Sequence, residues 1–132
     1  MGNIEILAAA GGPDSLVPAV RLGADAVYLG AKQFSARGNA GNFDREALKE
    51  AVEYCHIRGV KLYLAVNTLM RDEELSDAME LVEYAASLPV DALIVQDVGF
   101  ASLVRSAAPG VRLHGSTQMS VHTPLGAQML YD

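Results

Sequence analysis

Apolar residues gather into five short runs, Ile4–Ala9, Ala26–Leu29, Leu62–Val66, Leu93–Val95 and Val111–Leu113, and behind each the apolar positions recur at helical spacing. Short apolar runs alternating with helical segments predict a parallel sheet with helices packed on it. The runs end in residues able to do chemistry: Gly30, Asn67, Asp97 and Ser116 to Gln118. A complete (β/α)8 barrel takes about 250 residues, and about four and a half strand–helix units fit the pattern here. The expected fold is therefore α/β, a partial TIM-like barrel forming one domain over residues 1–132.

The helices carry their own punctuation. Asp44 is placed as an N-cap, with Ala47, Leu48, Ala51, Val52 and Cys55 on one face and Gly59 as the left-handed stop. The third helix opens with Asp72, Glu73 and Glu74, acids suited to the positive end of the dipole, and buries Leu75, Met79 and Val82 before Pro89. A fourth uses Phe100, Leu103, Val104 and Ala107 and closes at Pro109-Gly110; Thr123-Pro124 announces a fifth. The first helix is ambiguous, because Pro18 either starts it or bends it. Asp25-Ala26 and Asp91-Ala92 repeat the same turn-to-strand pattern, and both aspartates read as structural, bonding N–H groups of their own turns.

Composition narrows the classes. Net charge −6 lacks the basic footprint of strong direct nucleic-acid binding. The single cysteine, Cys55, precludes an intrachain disulfide and fits a reducing, cytoplasmic setting. No apolar stretch is long enough for a membrane span, and no signal peptide is expected at Met1. No Cys/His cluster points to a metal.

In a barrel of this kind the site lies at the C-terminal ends of the strands. Asp97 is a candidate general base, or else a helix cap. Ser116 is a candidate nucleophile with His114, two residues earlier on the same strand face, as its base. Asn67, Thr68, Thr117, Gln118 and Tyr28 are candidates for substrate contact. The loop from Arg37 to Asn42 offers N–H groups beside an arginine to an anion, or is simply a solvated loop. Gly11-Gly12 is a weaker anion candidate, and His56 reads as a surface residue. A half-barrel leaves two sheet edges open and an inner face expected to hold Leu7, Leu64, Ile94 and Leu113. It therefore calls for a partner: a second copy, or a chain supplying the other half.

Five ordered blocks resemble peptidase family U32. They are Ile4 to Gly11; Gly23 to Gly30 with Phe34, Arg37, Ala40 and Asn42-Phe43; Val66-Asn67-Thr68; Ile94 to Gly99; and Ser116 to Ser120. The resemblance implies the N-terminal part of a barrel from a family whose members are called peptidases or collagenases. Other members support hydroxylation of RNA bases or quinone precursors, some of them with an iron–sulfur cluster. The leading expectation is part of a peptidase, inactive alone. The alternatives are a component of oxygen-independent hydroxylation of tRNA, rRNA or a quinone precursor, and a non-catalytic half-barrel subunit. One cysteine builds no cluster, so its ligands would come from a missing C-terminal half or a partner.

Overall fold

The computed structural model describes residues 2–36 and 43–131. Five strands, β1 (Leu7–Ala9), β2 (Ala26–Gly30), β3 (Lys61–Val66), β4 (Ala92–Val95) and β5 (Leu113–Gly115), alternate with five helices. The helices are α1 (Pro13–Arg21), α2 (Arg45–Ile57), α3 (Leu75–Ser87), α4 (Val98–Ala107) and α5 (Pro124–Tyr131). The sheet is parallel throughout, in the order β1-β2-β3-β4-β5. A strand order that never reverses belongs to a barrel wall, whereas a doubly wound sheet reverses at a switch point. The two open edges are β1 and β5, as expected.

The two faces of this sheet differ in chemistry. Val27, Leu29, Leu62, Leu64, Val66, Leu93 and Val95 form one buried cluster with Leu48, Val52, Val82, Phe100 and Val104 of the helices. Each such side chain taken from water contributes about 2 kcal/mol, so this layer carries the fold. The opposite face is built from rows fixed by the register: Ala9, Tyr28, Tyr63 and Ala92, then Gly30, Ala65, Ile94 and His114. Leu64 and Leu113 therefore do not belong to the inner face; both pack toward the helices, and only Leu7 and Ile94 of the expected four lie on the open side. Strands buried on both faces lack the alternation that would have separated the two sets.

Local signals explain most boundaries. Asp44 accepts the Ala47 N–H at 2.8 Å and caps α2, and Gly59 beyond its end has φ +70°. The acids Asp72 to Glu74 form a 3-10 turn ahead of α3, whose buried residues are Ala78, Leu81, Val82 and Ala85, with Leu75 and Met79 half-buried. In α4 Phe100 and Val104 are buried while Leu103 and Ala107 are exposed. Thr123 accepts the Gly126 N–H at 3.1 Å at the start of α5.

Two strands start later than expected, and the open reading of the first helix is resolved. Ile4 is 91% exposed and β1 is shorter, starting at Leu7. β5 starts at Leu113, because the Val111 N–H closes the Pro109-Gly110 turn on Ala108 O and is spent before the ladder begins. α1 starts at Pro13 and runs through Pro18, whose missing N–H falls opposite the exposed Asp14.

Asp25 and Asp91 are structural, but their bonds reach the neighbouring strand. Asp25 takes the Ile6 N–H on its carboxylate at 2.7 Å and gives its own N–H to Ile6 O at 2.9 Å. Asp91 does the same to Leu62, at 2.8 and 2.9 Å. The repeat in the sequence is thus a repeated clamp between adjacent strands at the bottom of the sheet.

Candidate functional site

At the C-terminal ends of the strands, the inner face opens into a groove of about 510 Å³. Tyr28, Ala65, Asn67, Ile94, His114 and the turn Ser116 to Gln118 line it, with Leu7 below. The space follows from the residue sizes, because Gly30 and Ala65 stand beside each other where barrel interiors are usually filled by bulky branched side chains. A smaller cavity of about 50 Å³ adjoins it across Tyr28, Ala65 and Asn67, and reaches Gly11, Gly30 and Ser35. Gly12 caps α1 in an extended conformation without a side-chain bond.

Asn67 follows β3 directly. Its Oδ1 accepts the Ala36 N–H at 3.0 Å, tying the segment after β2 to the rim and leaving the amide edge in the groove. Thr68, one residue on, faces a separate cavity with Arg71, Glu73 and Asp77, so the structure separates it from Asn67. Arg37 and Asn42 lie outside the described residues.

Ser116 and His114 both line the groove, but each is engaged elsewhere. Ser116 is 8% exposed, and its Oγ accepts the Gln118 N–H at 3.2 Å, capping a 3-10 turn over Thr117–Met119. The His114 ring rests edge to face on Tyr63, with centroids 4.8 Å apart and planes at 73°. That arrangement orients the imidazole without joining it to the serine, and a nucleophile needs its base within hydrogen-bond reach.

Asp97 closes the end of β4. Oδ1 accepts the Phe100 N–H at 2.8 Å as the N-cap of α4, and Oδ2 accepts the Met70 N–H at 3.2 Å. Both oxygens are therefore occupied by backbone donors. Gly99 leaves them room; a Cβ there would meet Oδ1 at 3.3 Å.

Three residues of the inner face escaped the sequence reading as site residues. Glu5 accepts the Tyr63 hydroxyl proton on Oε1 at 2.8 Å and Lys61 Nζ on Oε2 at 3.3 Å. The Tyr63 hydrogen bond, aided by Lys61, holds the Glu5 carboxyl below its usual range. Burial, then the same hydrogen bond, pushes the Tyr63 phenol up to about 12, so it stays a donor. The available signal was parity, since Lys61, Tyr63 and Ala65 alternate with Leu62, Leu64 and Val66.

Cys55 and His56 lie behind the sheet, away from the groove. The Cys55 thiol is buried, and burial reinforced by Asp91 raises its pKa to about 11. His56 is a surface residue, as expected, and its Nε2 lies 2.8 Å from Asp91 Oδ2. Among the described residues no three His, Cys, Asp or Glu are placed to hold a metal ion. A buried helix thiol and a groove without thiolates do not fit an iron–sulfur cluster. Among the described residues no helix is long and apolar enough to cross a membrane.

Comparison with known proteins adds the lineage. The model of peptidase family U32 matches residues 11–132. An uncharacterized protease of Methanocaldococcus jannaschii is 39% identical, over 97% of this chain and 31% of its own length. A tRNA hydroxylation protein P of Helicobacter pylori is 37% identical, over 100% of this chain and 32% of its own. A 23S rRNA 5-hydroxycytidine synthase of Escherichia coli is 40% identical, over 86% and 17%. The chain thus spans about a third or less of the curated relatives it matches. A solved U32 peptidase shares the fold, with TM-score 0.72 over 96% of this chain and 54% of its own, at 14% identity.

Proposed function

The chain belongs to peptidase family U32, and on that premise we propose that it forms the base-binding part of a protein that hydroxylates RNA. The observation that carries this reading is the groove itself. It offers two amides, Asn67 and Gln118, the Thr117 hydroxyl, and two flat rings, Tyr28 and His114, around a floor of Ala65 and Ile94. A nucleobase needs both donors and acceptors along its edge, which amides supply, and a face to stack on, which the rings supply. The volume, about 510 Å³, suits a small ligand such as a single base lying in an open groove. The relatives named for tRNA and rRNA hydroxylation agree in substrate class.

An acidic chain has little to offer the phosphate backbone. Its part is to take an unstacked base from a loop or a flipped position, while grip on the RNA comes from elsewhere in the full protein. Replacing a ring C–H by C–OH removes two electrons, so the reaction needs an oxidant and an oxygen source beyond these side chains. If an iron–sulfur cluster serves it, the thiolates come from outside this sequence, in a C-terminal half or a partner. The open edges β1 and β5 are the places for that segment or for a second copy to pair. A substrate among cellular RNAs goes with work in the cytoplasm.

The peptidase reading has a named relative in its favour, but here the serine lacks a base. One experiment separates the two. Deleting the gene in its host and analysing nucleosides of tRNA and rRNA by mass spectrometry should remove one hydroxylated pyrimidine. Wild-type protein should restore it, and Asn67→Ala with Gln118→Ala should not. An unchanged nucleoside profile, with gelatin or casein cleavage abolished by Ser116→Ala, would overturn the proposal in favour of hydrolysis.

A further inference from the structure

Beneath the groove, Glu5, Lys61 and Tyr63 form a polar set that the binding just proposed does not use. It crosses the sheet: Glu5 precedes β1, Lys61 and Tyr63 stand on β3, and the Tyr63 ring reaches His114 on β5. Tyr63 is 5% exposed, and a phenylalanine would fill the same volume. The hydroxyl adds no buried apolar area. What it adds is a fixed point, because a 2.8 Å hydrogen bond to Glu5 Oε1 sets how far the ring extends and how it tilts. Glu5 is itself tethered by Lys61 Nζ on its other oxygen, at 3.3 Å. The edge-to-face contact at 4.8 Å then passes that orientation to the imidazole, which lines the groove.

We propose that Glu5 and Tyr63 are positioning residues. Glu5 anchors the Tyr63 phenol, and the Tyr63 ring holds His114 in the orientation that meets a bound pyrimidine. The inference rests on the base-binding reading for its ligand, while the coupling of Glu5 through Tyr63 to His114 is a property of the folded chain.

The test uses the full-length protein carrying this chain, labelled at histidine, with the His114 ring signals assigned by their loss in His114→Gln. Tyr63→Phe and Glu5→Ala should each shift the His114 ring signals in the absence of ligand and weaken cytidine binding several-fold. Glu5→Gln should restore both, because its amide oxygen still accepts the phenol proton although the charge is gone. A merely structural contact would not show that rescue. Tyr63→Phe differs from wild type by one oxygen, so folding confounds it least, and circular dichroism checks each variant. Unmoved His114 signals in Tyr63→Phe and Glu5→Ala overturn the inference. So do shifted signals with cytidine affinity unchanged. If wild-type protein binds neither cytidine nor a short pyrimidine RNA, the base-binding reading fails. The part of the inference that concerns a pyrimidine falls with it, and the coupling of Glu5 through Tyr63 to His114 is decided by the ring signals, a shift upholding that coupling and no shift overturning it.

Discussion

Replacing Asp97 separates its two readings cleanly. Alanine removes the N-cap bond to Phe100 N–H, which costs about 1 kcal/mol in most helices. It also strands the part-buried Met70 N–H, now held by Oδ2 at 3.2 Å, for about 1 kcal/mol more. The sum is about 2 kcal/mol. For a urea slope of about 1.5 kcal/mol per molar, the unfolding midpoint should fall by a little over 1 M. At this chain length the same loss lowers Tm by about 8 °C. Asparagine caps nearly as well as aspartate and keeps one acceptor oxygen, so Asp97→Asn should lose less than about 1 kcal/mol. Urea titrations followed by circular dichroism give both numbers. If Asp97 is a cap, activity of the full protein follows stability, and Asp97→Asn stays largely active. If it is a general base, Asp97→Asn is inactive at nearly full stability. Equal destabilisation by asparagine and alanine, or an alanine loss below about 0.5 kcal/mol, would refute the capping argument.

Cys55, buried and raised to about 11, should resist a disulfide reagent at pH 8 in the native chain and react within minutes in denaturant; rapid native reaction would contradict its burial. Tyr63 should keep its proton up to about 12, so its contribution to stability is complete below pH 10 and declines as pH rises toward 12. Phenolate absorbance in which Tyr63→Phe removes a step near pH 10 would show that wrong. Its partner Glu5 works in the opposite sense: held low, it contributes above the unfolded carboxyl value of 4.5 and loses that contribution as the solution is acidified. The 132-residue chain on its own should self-associate at micromolar concentration through its open edges, and a single 14.0 kDa species in sedimentation would count against edge pairing.

What the sequence made legible was local. The Asp44 cap, the Gly59 stop and the alternation of strand and helix all depend on neighbours within a turn or two, and each appears in place. Asp97 as the cap of α4 was one of two open readings for the same reason. The unread features depend on pairs far apart in the chain. Glu5 and Tyr63 are 58 residues apart, His56 and Asp91 are 35 apart, and no pattern in either segment announces the other. The strand faces are only weakly marked, by the parity that sets Lys61, Tyr63 and Ala65 against Leu62, Leu64 and Val66. In Leu62 to Val66 nearly every position is apolar, so the pattern favours Leu64 for the inner face over Tyr63. The register reverses that, because it is Tyr63 that aligns with Tyr28.

That division of the sheet bears on how one family can carry names as different as protease and RNA hydroxylation protein. The large aliphatic residues, and with them most of the buried apolar area, lie between sheet and helices. The inner face adds little: its rows hold Gly30, Ala65 and Ala92 among Tyr28, Tyr63, Ile94 and His114. A face that contributes little to stability can change without unfolding the protein, and a site built on it can change its chemistry while the fold persists. Glu5 and Tyr63 put a hydrogen-bonded pair on that face, an exposed acid holding a buried phenol. The phenol needs that acceptor only to fix its own ring, and the ring's edge-to-face partner is His114, so the use of the pair is to be sought in the groove above.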